Sequence, residues 1–195
     1  MFRRALLSLA VFFALAQTAL AHPGHGGHDL SDGLQHPLHG VDHLAAMVAV
    51  GLLAVRIGGR ALWIMPCAFM GSMLVGGLSA AIAVPLPGIE YGIALSVLVL
   101  GLLIAATRIV PLAWGAAIVA FFAVFHGHAH AAEMTAGGSL AAYAAGFILA
   151  TALLHIAGVL GGLVLVRPVH GISLRLAGAT ISVLGVWLLW SVPGT

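Results

Sequence analysis

From His36 onward the chain is a succession of apolar runs separated by short clusters of glycine, proline and arginine. Apolar runs of about 20 residues are long enough to cross a bilayer core as helices. The breaks predict six such spans, near 36–57, 61–84, 89–107, 110–132, 139–166 and 172–192. The separators are Gly58-Gly59-Arg60, Pro85-Leu86-Pro87-Gly88, Arg108 with Pro111, the glycine-containing stretch 135–139, and Arg167-Pro168 followed by Gly171. Proline removes a backbone donor and glycine relaxes the chain, so each cluster stops a helix.

Ahead of the spans, Arg3 and Arg4, an apolar run over 5–13 and the small-residue triplet Ala19-Leu20-Ala21 follow the plan of a cleavable secretory signal. The expected organisation is therefore a signal peptide over 1–21, an exported histidine-bearing tail over 22–35, and a six-helix transmembrane domain over 36–195. The fold class is all-α, a membrane bundle of six helices. With the mature N-terminus outside, Arg56, Arg60, Arg108, Arg167 and Arg175 all fall at cytoplasmic helix ends, as the positive-inside rule requires. Both termini are then periplasmic. Trp63 and Trp114 fall near the inner interface, and Tyr91, Tyr143, Trp187 and Trp190 near the outer one.

Composition excludes much else. The chain is 62% apolar and 6% charged, against roughly 45–50% and 25% in soluble domains. A net charge of +2 supplies no electrostatic footprint for nucleic acid. The single cysteine, Cys67, excludes an internal disulfide or a cysteine-rich zinc or iron–sulfur site. It is expected to be a small buried side chain, as Met47, Met65, Met70, Met73 and Met134 are expected to be packing residues. Gly158 and Gly162 have the spacing of a close helix contact.

Against this scarcity of polar groups stand eleven histidines. His36, His39 and His43 open the first span on one helical face with Asp42 adjacent. His126, His130 and Glu133 form a second stripe closing the fourth span, with His128 pointing elsewhere. Antiparallel placement brings both stripes to the outer half of the membrane. Imidazole nitrogen with carboxylate oxygen suits a borderline divalent transition metal, and the lack of thiolate argues against Cu(I). Ionised Asp42 and Glu133 with neutral histidines also offset one doubly charged ion. The candidate ligands are His36, Asp42, His43, His126, His130 and Glu133. His39 and His128 are candidates for supporting or pore-lining roles. His155, mid-span, is either a hydrogen-bonded interhelical histidine or a later stop on an inward path. Glu90 suits the N-terminus of its helix, His170 carries little information, and His22, His25 and His28 either collect metal outside or belong to a polar tail.

At these residues the sequence resembles the HupE/UreJ family of nickel and cobalt permeases. Its first-helix motif H-x5-D-H is matched by His36, Asp42 and His43. Its motif F-H-G-x-A-H-G-x-E is matched by Phe125, His126, Gly127, Ala129, His130 and Glu133, with Ala131 where the family has glycine. The resemblance implies uptake of Ni2+ or Co2+ across the bacterial inner membrane, with a functional link to hydrogenase or urease maturation. The metal is cargo, so no permanent cofactor and no enzymatic activity are expected. Without lysine the chain cannot form a P-loop, and an inside-negative potential favours entry of a +2 ion by about 4.6 kcal/mol per 100 mV. The rivals are an intramembrane metal-dependent hydrolase, a haem-binding electron carrier, and a metal sensor or chaperone that binds without flux. Because imidazole must be neutral to ligate a metal, uptake is expected to fall as external pH drops from about 7.5 to about 5. Rates of metal entry into cells or vesicles across that range check this, and a flat profile contradicts it.

Overall fold

The computed structural model describes residues 30–132, 139–166 and 172–192. Among them are seven helices: α1 (Leu30–His39), α2 (Val41–Ile57), α3 (Ala61–Ala81), α4 (Ile89–Ala105), α5 (Leu112–Ala132), α6 (Leu140–Val166) and α7 (Ile172–Ser191). Four of these, α3, α5, α6 and α7, are long and apolar enough to cross a membrane, and α1 with α2 make a fifth if that pair counts as one broken span. The described residues are all-helical, and the chain is a membrane protein. The expected signal peptide over 1–21 and the tail histidines His22, His25 and His28 lie outside the described residues, whereas residues 30–35 of the expected tail belong to α1.

Five of the six expected spans correspond to single helices, α3 to α7, with ends that differ by a few residues. The first does not. It is broken at Gly40, where α1 and α2 meet at 88°. Gly40 caps α2 with extended backbone, φ −97° and ψ 115°, a conformation outside the helical well. The run 36–57 is thus not one helix, and the expectation that His36, His39 and His43 share one continuous face is corrected.

The bundle is organised around α2. Its residues Ala45, Ala46, Met47, Ala49, Val50, Leu52, Leu53 and Ala54 are all buried, and a helix apolar on every side belongs in the interior. The outer helices turn apolar side chains outward instead: Val75, Leu78, Trp114, Phe121, Val164, Val183 and Trp190 are exposed, the inverse of a soluble domain and the surface a lipid phase accepts. One expectation needs correction here: Cys67 is exposed on α3, not buried. Tyr143 is 5% exposed and packs inside against Phe147.

At one end, α4 terminates between two arginines. Arg56 of α2 donates to the Ala106 carbonyl, and Arg175 Nε of α7 donates to the Ala105 carbonyl at 3.0 Å. The last carbonyls of a helix have no intrahelical partner and carry the negative end of its dipole. Two cations from neighbouring helices satisfy them and fasten α2, α4 and α7 together.

Helices meet through glycine. A Cβ built at Gly127 would lie 1.8 Å from the Met73 carbonyl oxygen, and one at Gly76 would lie 2.1 Å from that of Val124, so α3 and α5 touch backbone to backbone. Gly158 has the same relation to Val48, at 2.3 Å, and Gly162 to the Val55 side chain, at 3.0 Å, as their spacing predicts. Ala131, where the family motif has glycine, is accommodated because Gly77 lies opposite: a Cβ there would be 3.8 Å from that of Ala131. Gly127→Ala should therefore destabilise the protein by about 1–3 kcal/mol, the cost of overpacking. Gly161→Ala, with nothing within 4 Å of the added atom, should be neutral or stabilising by up to about 1 kcal/mol. Thermal unfolding of the two detergent-purified variants checks the contrast.

Candidate metal site

The bend at Gly40 positions the first histidines. Asp42 and His43 sit in the opening turn of α2, where the positive end of the helix dipole favours a carboxylate. Asp42 Oδ1 accepts hydrogen bonds of 2.7 Å from the His43 backbone N–H and of 2.7 Å from His43 Nδ1. A Cβ at Gly40 would press on both partners, at 2.7 Å from Asp42 Oδ1 and 3.0 Å from His43 Nδ1. Glycine at the bend therefore leaves room for the pair as well as relaxing the backbone.

Four histidine rings from three helices meet beside this pair. His130 of α5 lies 4.6 Å from His36 of α1 and 4.3 Å from His43 of α2, centroid to centroid. His126, one turn earlier on α5, lies 4.9 Å from His43. Phe147 of α6 closes one side at 3.9 Å from His130, with Tyr143 5.9 Å from His36. His126 is wholly buried and His130 is 4% exposed. Beside His130 an apolar cleft runs between α3, α5 and α6, bounded by Met73, Gly77, Tyr143 and Phe147.

Hydrogen bonding determines which ring nitrogens carry protons. The carboxylate of Asp42 accepts only, so His43 holds its proton on Nδ1 and keeps a lone pair on Nε2. The Ser96 hydroxyl gives its one proton to the Ile93 carbonyl at 2.6 Å. Its oxygen therefore accepts from His126 Nε2 at 3.0 Å, leaving the lone pair of His126 on Nδ1. Neither His43 Nε2 nor His126 Nδ1 has a hydrogen-bond partner, and neither does either nitrogen of His130. A buried polar atom left unpaired costs about 1–3 kcal/mol, so this cluster carries an unmet demand for an electrophile.

The rings pack edge to face, and among the described residues no three His, Cys, Asp or Glu side chains hold their donors close enough to share one ion as they stand. Coordination by this cluster requires the rings to rotate. Of the expected ligands, His36, His43, His126 and His130 come together, Asp42 is engaged with His43, and Glu133 lies outside the described residues. His39 is exposed on α1. His128 is buried on another side of α5, with Nδ1 3.0 Å from the Ser79 hydroxyl. Glu90 is exposed in the first turn of α4. The sequence reading missed Ser96, Phe147 and Tyr143. A lone serine or aromatic in an apolar run has no periodic signal, and only the packing of α4 and α6 against α5 brings them into contact.

The model of the HupE / UreJ protein family matches residues 9–188. The chain is 40% identical over 178 residues to "Protein HupE" of Rhizobium leguminosarum bv. viciae, covering 90% of this chain and 92% of that relative. No solved structure matches it. On the extent of the family match and the full-length similarity to that relative, the chain belongs to the HupE/UreJ family.

Proposed function

We propose that this chain is an ATP-independent permease that admits Ni2+ or Co2+ across the bacterial inner membrane. Six passages, counting the bent pair α1–α2 and the 17-residue α4 as spans, follow a cleaved signal peptide and leave both termini periplasmic. The ion is cargo and the chain is not an enzyme. The metal delivered serves hydrogenase or urease maturation, which the family resemblance implies.

The observation that carries this reading is the set of unpartnered, buried imidazole nitrogens on His43, His126 and His130, gathered with His36 from three different helices. Neutral imidazoles are the commonest transition-metal ligands, and Asp42 and Ser96 hold two of them in the tautomer that offers a lone pair. A carboxylate behind a ligating histidine fixes its orientation and raises its basicity. Asp42 therefore acts through His43, while Glu133 adds the second negative charge that neutralises the ion. Because the rings must turn to close on the metal, the cluster exchanges between packed and coordinating arrangements. A carrier needs this, since an ion held rigidly on all sides does not leave.

Metal flux into liposomes carrying the purified protein tests the reading. His43→Ala, His130→Ala and Glu133→Ala should each lower Ni2+ or Co2+ entry at least tenfold. Equal transport by all forms would overturn the assigned roles. Asp42→Asn keeps the shape but loses the carboxylate, and should weaken metal affinity about 10–100-fold. If Asp42 works through His43, the double variant Asp42→Asn/His43→Ala should be little worse than His43→Ala alone. Additive losses would instead indicate that Asp42 ligates the ion independently.

A further inference from the structure

Beyond the four-histidine cluster, α6 carries a second polar pair at a deeper level. Thr151 and His155 are one helical turn apart and share a face. Thr151 is completely buried and His155 is 1% exposed. Thr151 Oγ1 and both ring nitrogens of His155 have no hydrogen-bond partner. The interhelical hydrogen bond considered for His155 is therefore not made. The threonine also departs from habit, since a buried hydroxyl in a helix commonly bonds back to a carbonyl of the preceding turn.

The location of the pair relates it to the cluster. His155 lies eight residues beyond Phe147 on α6, about 12 Å along the helix axis at ~1.5 Å per residue, and Phe147 is the residue packed on His130. The ring of Phe69 stands between the two levels, 5.4 Å from His126 and 5.1 Å from His155. On the other side the backbones of α2 and α6 are in contact, because a Cβ at Gly51 would lie 2.4 Å from the His155 carbonyl oxygen. The line His130, His43, His126, Phe69, His155 thus runs inward through ring contacts.

We propose that Thr151 and His155 form a second, deeper position for a divalent transition-metal ion, supplying one imidazole nitrogen and one hydroxyl oxygen to a partly hydrated cation. This deepens the uptake reading and rests on it: an ion leaving the outer cluster meets its next nitrogen donor one ring away. Nitrogen and oxygen donors select the same borderline ions as the outer cluster does. Two successive partial sites also let each bind more weakly than a single complete cage, which shortens residence at each.

The test uses the full chain in detergent with Cys67→Ser, so that Thr151→Cys introduces the one thiol present, and Cd2+ as the probe. A cadmium–thiolate charge-transfer band should appear on titration of Thr151→Cys, and adding His155→Ala should shift the midpoint to at least about tenfold higher Cd2+. An absent band, or the same midpoint with and without His155, overturns the proposal. The unsubstituted protein gives a reading free of folding effects. With Cu2+, ascorbate and dissolved dioxygen as the oxidant, mass spectrometry should find His155 oxidised and Ni2+ should suppress that oxidation. Oxidation confined to the outer histidines overturns the proposal. Ni2+ flux through the wild-type protein separates the two claims. Flux with a band indifferent to His155 removes the deeper position alone. No flux with a His155-dependent band overturns the uptake reading and leaves the position standing.

Discussion

The contact on which the rest depends is backbone against backbone. At three helix crossings near the histidines glycines lie at the contact: Gly76 and Gly127 between α3 and α5, Gly33 and Gly146 between α1 and α6, Gly51 and Gly158 between α2 and α6. In lipid there is no hydrophobic gain from pressing one apolar helix on another, and close packing of small residues supplies the attraction instead. Close approach also shortens the distance that side chains must bridge. Imidazole is compact, and with α5 seated on α3 and with α1 and α2 both seated on α6, rings from three helices reach centroid separations of 4.3–4.9 Å.

That geometry has an electrostatic consequence. Neutral imidazole is among the cheaper polar groups to bury, but each ring brings two nitrogens, and the neighbours satisfy only some of them. Ser96 takes up one nitrogen of His126 and Asp42 one of His43. Each of these bonds leaves a lone pair on the opposite nitrogen. For His43 and His126 the hydrogen bonding is complete on one side of the ring and open on the other, and for His130 both nitrogens are open. A core selected for stability alone would fill or remove such atoms. Their presence in the bundle interior is the physical basis of the proposal that a cation binds there.

The bend at Gly40 plays a matching part. A straight first span would carry His36 two turns away from His43 along one axis, about 10 Å at ~1.5 Å per residue. Turning by 88° lays α1 across α6, so that His36 approaches His130 from the side while His43 approaches along α2. The histidines converge for a different reason than their seven-residue spacing suggests. The same bend places Asp42 at the positive end of α2, where it is both stabilised and aimed at His43.

The amino-acid sequence alone determined the membrane class, the helical segments from Ala61 onward and the four histidines that gather at the candidate site, because in an apolar medium every backbone group must be satisfied within its own helix and every ionisable group is conspicuous. It also supplied the glycine spacing of α6. It did not reveal that α2 is the central helix, that Cys67 faces outward, that Tyr143 faces inward, or that Gly40 divides the first span, since the apolar runs are hydrophobic on all sides and carry no stripe to say which face meets protein and which meets lipid. The protonation pattern of the rings was hidden for a related reason. Ser96 and His126 are thirty residues apart, and only the packing of α4 against α5 brings the hydroxyl to the imidazole and so decides which nitrogen is left without a hydrogen bond.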